Sequence, residues 1–425
     1  MDVLILPLGV IVVGFVVLRL GLLTLGCVRQ VAHQKSQQQL SLELMQERID
    51  AAKRRHETSA MAWNGYRKFV IDRKVEEADD VCSFVLSPHD RKPLPLFKPG
   101  QYLTFRLKIP GREKPVIRCY SLSDRPGADS FRITIKRVMS PSDAPATPPG
   151  LVSNFFHEQL VEGDILDVQA PRGHFFLDPD KERPAVLIAG GVGVTPLLSM
   201  VKSIAEAKSG REVLLFYGVQ NRASHAFKTE LENVTEHHAN VRLVVCYSQP
   251  RKQDEEGEGR DYHHAGRITV ELLRSYLQST NYEFYICGPP PMMESLVDPL
   301  TKWGVAKNDI LTEAFGPATI SKASSKPKPA SVIPNADKLP VVCQVTFAKT
   351  DKKCGWTADS ENLLEFASRH KVPIESGCRA GNCGTCVVAI KSGRVSYLSE
   401  HGVELDEGTC LTCIATPDGD VVLDA

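Results

Sequence analysis

Four cysteines near the end of the chain restrict its fold more than any other feature. Three lie in Cys378-Arg-Ala-Gly-Asn-Cys383-Gly-Thr-Cys386, and Cys413 follows after 26 intervening residues in Leu411-Thr412-Cys413. Three thiols within nine residues converge on one small inorganic core only if the backbone between them wraps around it. Gly381 and Gly384 supply the freedom for that wrap, and N–H groups there can donate to sulfide. The C-x4-C-x2-C…C spacing is that of a plant-type [2Fe–2S] centre. Zinc is the rival, because Cys383-x2-Cys386 and Cys410-x2-Cys413 form two C-x2-C pairs separated by 23 residues. Zinc would leave Cys378 idle and the glycine-spaced loop unexplained, so loop chemistry favours iron–sulfur. Spacing alone leaves the fourth ligand open between Cys413 and Cys410.

At 425 residues the chain is too long for one core and divides into two to four domains. Its 51 basic and 51 acidic residues cancel, which gives no electrostatic case for nucleic acid. The twelve cysteines are scattered, and four already have a metal role, so a reducing compartment is expected.

Residues Val3 to Val28 form a 26-residue apolar run interrupted only by Arg19 and Thr24, long enough to span a bilayer. A cleaved signal peptide would want a basic residue before the apolar core, and only Asp2 and the amino terminus precede it. Thr24-Leu-Gly-Cys27 is only faintly like a lipoprotein cleavage site, with threonine where leucine is usual. Arg29, Lys35, Arg48, Lys53, Arg54 and Arg55 all follow the run, which places the remainder in the cytoplasm. The expectation is a single-pass N-terminal transmembrane helix over residues 1–30 and a polar juxtamembrane helix over 31–62, with Leu40, Leu44, Met45 and Ile49 at helical intervals.

Three modules follow. Over residues 63–180, short strands such as Phe84-Val85-Leu86 and Phe131-Arg132-Ile133-Thr134-Ile135 are separated by turn residues, which predicts a small antiparallel β-barrel. Over residues 181–317, apolar runs such as Ala185–Ala189 and Val213–Tyr217 alternate with helical stretches, the signature of an α/β parallel sheet. Residues 318–339 are rich in Pro, Ser and Lys and read as a flexible linker to a C-terminal module over 340–425.

Several strings carry chemistry. Arg118-Cys119-Tyr120-Ser121 lies in the barrel and is weak evidence taken alone. Gly150-Leu151-Val152-Ser153-Asn154 precedes an apolar helix that Ser153 or Asn154 can cap, a ready phosphate site. Strand Ala185–Ala189 runs into Gly190-Gly191-Val192-Gly193-Val194-Thr195-Pro196, where the glycines admit a ligand, Thr195 can cap and Pro196 fits the first helical position. Tyr285-Ile286-Cys287-Gly288-Pro289 ends a buried strand at the same carboxyl edge, where ligands of such sheets bind.

Together, in this order and spacing, the strings over about Tyr66 to Pro317 resemble the ferredoxin–NADP reductase-like flavoprotein family. Val341 to Ala425 resembles a plant-type ferredoxin domain of α+β (β-grasp) fold, whose last ligand sits in a Leu-Thr-Cys turn. The resemblance implies Cys378, Cys383, Cys386 and Cys413 as ligands, with Cys410 a bystander. It implies Arg118 on a flavin phosphate, Tyr120 along the isoalloxazine, Cys119 beside them and Ser121 near the reactive edge. The Gly150–Ser153 segment corresponds to the family's pyrophosphate-binding helix start. Gly190–Pro196 and Cys287-Gly288-Pro289 correspond to its nicotinamide-nucleotide site, with Cys287 close to the ring. Phe315 matches the aromatic at the flavin face, and Glu313 is a charge near it.

Flavin barrel, nucleotide domain and C-terminal cluster is similar to the phthalate dioxygenase reductase arrangement, which uses FMN. Pro-Gly-Leu-Val-Ser-Asn is closer to FAD-binding relatives such as the flavohaemoglobin reductase modules and hybrid-cluster-protein reductases. FAD is expected, with FMN the alternative. Arg222, after the second strand of the α/β module, is the residue that would read a 2′-phosphate. A surface Arg is the commoner case there, and NADH is expected over NADPH. The function implied is a membrane-anchored NAD(P)H-dependent oxidoreductase that passes a hydride to flavin and single electrons through the cluster to an acceptor protein, an oxygenase or other iron protein. Two alternatives remain: an NADH-entry subunit of a membrane ion-translocating complex, whose domain order differs, and a non-catalytic redox sensor.

Overall fold

The computed structural model describes residues 63–140, 145–178, 181–207, 210–313, 315, 341–357, 360, 362–377, 379, 381, 384–398 and 405–425. The expected anchor, juxtamembrane helix and linker, and the ligands Cys378 and Cys383, lie outside the described residues. Among the described residues no helix is long and apolar enough to cross a membrane.

The first module has strands β1 (Arg67–Ala78), β2 (Val81–Pro88), β3 (Tyr102–Leu107), β4 (Val116–Ser121), β5 (Phe131–Lys136) and β6 (Ile165–Val168), with helix α1 (Leu151–Glu158) before β6. They form an antiparallel sheet of order β4-β3-β6-β1-β2-β5. The two end strands meet through an antiparallel bridge between Leu122 and Ile133, and Ser123 N donates to Arg132 O at 2.8 Å, so the sheet curls closed. Closure follows from the side-chain alternation, which turns Phe69, Phe84, Phe105 and Phe131 inward, all buried, with Phe156 of α1 plugging one end.

The second module has strands β7 (Ala185–Gly190), β8 (Val213–Val219), β9 (Val241–Tyr247), β10 (His264–Ala265), β11 (Glu283–Cys287) and β12 (Ile310–Glu313). Its helices are α2 (Val194–Glu206), α3 (Lys228–His237), α4 (Val270–Tyr276) and α5 (Pro290–Trp303). All strands are parallel, in the order β10-β9-β8-β7-β11-β12. Every residue of β7 and β11 is buried, as expected for strands covered on both faces, and one apolar cluster lies on each face. From β7 the chain winds outward through β8, β9 and β10, then returns to start β11 on the opposite side. The order therefore reverses between β7 and β11, which opens a crevice at their carboxyl ends.

Half-buried ions join the two modules. Arg132 on β5 donates to Glu230 on α3 at 3.0 and 3.1 Å, and Lys202 on α2 bridges Glu230 at 2.6 Å and Asp124 of the barrel at 2.5 Å.

The third module has β13 (Val341–Phe347), β14 (Lys352–Thr357), α6 (Leu363–Arg369), β15 (Val387–Ser392), β16 (Val395–Tyr397), β17 (Thr409–Leu411), β18 (Ala415–Pro417) and β19 (Val421–Leu423). A mixed sheet of order β14-β13-β19-β15-β17 packs Val345, Phe347 and Trp356 against Phe366 of α6, with a separate β16–β18 ribbon. Asn362 caps α6 by accepting from Glu365 N at 2.9 Å.

Candidate active site and cluster loop

At the reversal point, Gly190 ends β7 and Cys287 ends β11, with Ala189 and Cys287 paired in register. A single 3-10 turn, Gly191–Gly193, leads directly into α2. Gly191 has φ +55° with open space where a Cβ would stand, whereas a Cβ on Gly193 would strike the Cys287 carbonyl. One glycine thus lets the backbone turn in the left-handed region and the other lets two strand ends touch. The helix begins at Val194, so Pro196 occupies its third position rather than its first. Thr195 does not cap; its Oγ1 donates to Val192 O at 3.0 Å, because the 3-10 turn places that carbonyl within reach. Gly288 and Pro289 continue from Cys287 into α5, where Pro290 opens the helix.

A cavity of about 470 Å³ runs along this edge, past Pro289, Gly190, Gly218 and Ser248. The charged residues in its lining are Lys136 of the barrel and Arg267, both cations, and neither was singled out by any local pattern in the sequence. Glycine backbone, hydroxyls and two cations, with no carboxylate among the described lining residues, fit a phosphate-bearing nucleotide.

On the barrel side, Arg118, Cys119, Tyr120 and Ser121 lie on the end strand β4, with Arg118 and Tyr120 on one side and Cys119 and Ser121 on the other. Arg118 is exposed and its Nη1 donates to Ile117 O at 2.7 Å. Tyr120 meets Phe105 and Phe156 edge-on, and burial raises its hydroxyl pKa. Cys119 Sγ lies 3.4 Å from Thr104 Oγ1.

Helix α1 starts after Gly150 without a side-chain cap. Ser153 and Asn154, expected as caps, stand in its first turn and turn back instead. Ser153 Oγ donates to Gly150 O and accepts from Val138 N, both at 3.1 Å, and Asn154 Nδ2 donates to Gly150 O at 2.8 Å and Val138 O at 2.9 Å. They tie the turn to the strand end, and leave the first N–H groups of α1 without a side-chain cap. Val152 is buried, while Leu151, Val138 and Met139 expose apolar surface beside the turn. An uncapped helix start flanked by exposed apolar side chains fits a flavin with its pyrophosphate. Lys74, unmarked in the sequence, holds the far end of α1 by donating from Nζ to His157 O at 2.6 Å and Leu160 O at 3.1 Å.

The two sides meet at one point. Ser121 Oγ donates to Glu313 Oε2 at 3.4 Å across 192 residues of sequence, and Glu313 is the register partner of Cys287. Burial without a cationic partner pushes the Glu313 carboxyl up to about 8, the Ser121 hydrogen bond opposing only weakly. Cys287 is fully buried, and desolvation raises its thiol well above the usual value, with Glu313 adding to it. Phe315 lies two residues beyond Glu313 and is 38% exposed.

In the third module, Gly381 and Gly384 have φ +74° and +72°, and Arg379 φ +56°, the left-handed turns that a wrapping loop needs. Thr412 ties the two distant ligand segments together: its N and Oγ1 donate to Cys386 O at 3.2 and 3.0 Å. Cys386 and Cys413 pack in one small apolar cluster with Leu364, Leu411 and Ile414. Cys410 belongs instead to the main core with Trp356 and Phe366, because alternation along β17 turns it to the other face. Burial pushes the Cys410 thiol up to about 12, with Cys386 contributing. The left-handed loop and the paired sulfurs fit a [2Fe–2S] cluster.

Comparison with known proteins agrees with each module. Residues 68–177 match the oxidoreductase FAD-binding domain, 187–298 the oxidoreductase NAD-binding domain, and 350–418 the 2Fe-2S iron-sulfur cluster binding domain. The chain is 38% identical over 273 residues to a flavohemoprotein of Halalkalibacterium halodurans, which covers 64% of this chain and 65% of that protein. It is 37% identical over 262 residues to the flavohemoprotein of Bacillus subtilis, covering 61% and 62%. The chain thus spans between 60% and 65% of the length of the curated relatives it matches. Among solved structures, the flavohem-like FAD/NAD-binding domain of the nitric oxide dioxygenase from Vibrio cholerae is 31% identical, with a TM-score of 0.51 over 60% of this chain and all of that one. Phthalate dioxygenase reductase, a modular structure for electron transfer from pyridine nucleotides to [2Fe–2S], shares the fold over 85% of this chain and 98% of its own, with a TM-score of 0.51 at 24% identity. Barrel, sheet edge and cysteine module therefore make one functional series, and the chain belongs to the ferredoxin–NADP reductase-like flavoprotein oxidoreductases as an NAD(P)H-dependent, FAD-containing member with a C-terminal plant-type [2Fe–2S] domain.

Proposed function

We propose that the chain is a membrane-anchored, NADH-dependent electron-transfer reductase that delivers single electrons to a protein acceptor, an oxygenase or another iron protein. The observation that carries this reading is the junction of Ser121, Glu313 and Cys287, where the strand that would hold a flavin meets the edge that would hold a nicotinamide. Bound FAD and the [2Fe–2S] cluster supply the conversion of a two-electron donor into one-electron transfers.

The chain's own residues do the positioning. Arg118 and the start of α1 at Gly150–Ser153 would hold the flavin phosphates, with Tyr120 and Ser121 on β4 contacting the ring system. The Gly190–Pro196 turn, Gly288 and Pro289 would hold the nucleotide, with Cys287 at the strand end nearest the nicotinamide. Desolvation raises the Glu313 carboxyl to about 8, which disfavours a negative charge beside the nicotinamide. Phe315, 38% exposed two residues beyond Glu313, would be the aromatic at the flavin face. Cys378, Cys383, Cys386 and Cys413 hold the cluster. NADH is favoured because the Arg222 guanidinium is engaged by Asp261 at 3.2 Å. The apolar run Val3 to Val28 supports an anchor, with the catalytic modules in the cytoplasm.

The test is steady-state reduction of ferricyanide and cytochrome c by NADH with the fully loaded chain. Turnover with both is expected; no turnover would sink the reductase reading and favour a sensor. Cys413→Ser should abolish the cluster's visible absorption and leave flavin reduction by NADH intact, while Cys410→Ser should keep the cluster. Deleting residues 1–30 should move the protein from the membrane to the soluble fraction.

A further inference from the structure

The loop between β9 and β10 carries a charge cluster that the function described so far does not use. Asp261 is buried, its side chain 7% exposed, and three cations close on it. Arg222 Nη1 lies 3.2 Å from Oδ2, and Lys228 Nζ and Arg260 Nε each lie 3.3 Å from Oδ1. The loop fixes the carboxylate in place, since Asp261 N donates to Gly257 O at 2.6 Å and a Cβ on Gly257 would meet Asp261 Oδ2 at 2.8 Å. Burial opposes ionisation, but the Arg260 and Lys228 hydrogen bonds outweigh it and hold the carboxyl below its usual range.

The place of this cluster is what gives it meaning. The cavity passes the carboxyl ends of β11, β7, β8 and β9, a span of about 14 Å at ordinary strand spacing. With the nicotinamide at Cys287 on the β11 side, a reading that rests on the proposed function, the adenosine half extends toward β8 and β9. Ser224 and Ser248 line the cavity there, and Ser224 ends the one-turn helix that Arg222 begins. Arg222 is therefore at the point where a cation would meet a 2′-phosphate. Yet Arg222, Lys228 and Arg260 do not line the cavity. Arg222 and Arg260 are turned to Asp261, and Lys228 is shared between Asp261 and Glu232, whose Oε1 lies 2.6 Å from its Nζ.

We propose that Asp261 sets the coenzyme preference: by drawing Arg222, Lys228 and Arg260 onto a buried carboxylate beside the adenosine end of the cavity, it denies them to a 2′-phosphate and selects NADH over NADPH. A 2′-phosphate brings about −1.5 to −2 charges and strong acceptors, so it is bound well only where guanidinium donors are free and no carboxylate faces it. Asp261 removes the first of these conditions by occupying the guanidinium groups.

The test is kcat/KM for NADH and for NADPH, with ferricyanide as acceptor, on the full-length, FAD-loaded chain. The native chain should favour NADH. Asp261→Asn, which keeps shape and removes charge, should raise kcat/KM for NADPH by about 10-fold with that for NADH changed by less than about 2-fold. Adding Arg222→Leu to Asp261→Asn should cancel the gain. Arg222→Leu alone should leave the ratio within about 2-fold, because Asp261 already occupies that guanidinium. A native preference for NADPH, an unchanged ratio in a correctly loaded Asp261→Asn protein, or a selective loss of NADPH use in Arg222→Leu alone would each overturn the proposal. If Asp261→Asn fails to load FAD, the Arg222→Leu measurement decides. Failure of the native chain to oxidise either coenzyme would overturn the proposed function instead, so the two failures are distinguishable.

Discussion

Two glutamates on neighbouring strands of the same parallel sheet live in opposite electrostatic worlds. Glu283 opens β11 at the amino edge, where it accepts from Lys181 and from the buried Arg211, each at 2.6 Å. Burial opposes its charge, but those two cations prevail and hold the carboxyl below its ordinary value. Glu313 closes β12 at the carboxyl edge, where among the described residues it accepts from the Ser121 hydroxyl and no cation pairs with it, and burial drives it up to about 8. One carboxylate is paired because the amino edge only has to hold together. The other is left without a cation because the carboxyl edge is where a ligand arrives, and an ion pair there would spend its charge on the protein.

The comparison breaks first, and by most, at Glu283. Glu283→Ala strands the Arg211 guanidinium, which is fully buried, and should lower unfolding stability by about 3–5 kcal/mol in a denaturant titration. A loss below about 1 kcal/mol would remove the contrast between the edges. Glu313→Gln should leave stability within about 1 kcal/mol while slowing flavin reduction by NADH up to about 100-fold in stopped flow, since the group removed stands at the junction and not in the frame. The pH dependences should run in opposite directions. Glu283 is depressed in the fold, so its contribution is present above the unfolded value of 4.5 and is lost as the medium is acidified through the folded value. Glu313 is raised, so its contribution is complete below 4.5 and is lost as pH climbs through about 8. Stability curves of the two variants should therefore flatten on different limbs, Glu283→Ala at acid pH below 4.5 and Glu313→Gln between 4.5 and about 8. The smallest effect is expected from Lys181→Met, below about 1 kcal/mol, because that ammonium is half in water, 53% exposed.

How much of this was legible beforehand differs between modules for a physical reason. The cysteine loop was readable because ligand spacing and glycine placement are properties of a few consecutive residues. Cys410 and Cys413 could not be separated by spacing; in the fold Cys410 on β17 turns into the main core, while Cys413, beyond the end of that strand, packs beside Cys386. Ser153 and Thr195 carry the side chains of helix caps and stand close to helix starts, so a local reading makes them caps. The helices begin earlier than that reading assumes, and both hydroxyls turn to nearby backbone. Lys136, Lys74 and Asp261 carried no signal at all, because a lone charged residue in a strand or loop looks the same whether it faces water or a site.

What the sequence determined by itself is the list of parts: a barrel of alternating strands, a parallel sheet of continuous apolar runs, and a thiolate loop of fixed spacing. Each rests on short-range periodicity, which the chain carries wherever it is placed. What only the tertiary structure decided is which parts meet. Ser121 and Glu313 are brought together across 192 residues, and Arg222 is handed to Asp261 rather than to the cavity. Both outcomes depend on the closure of one sheet against the reversal of another, and the balance of burial and charge that sets their chemistry exists only once those surfaces are in contact.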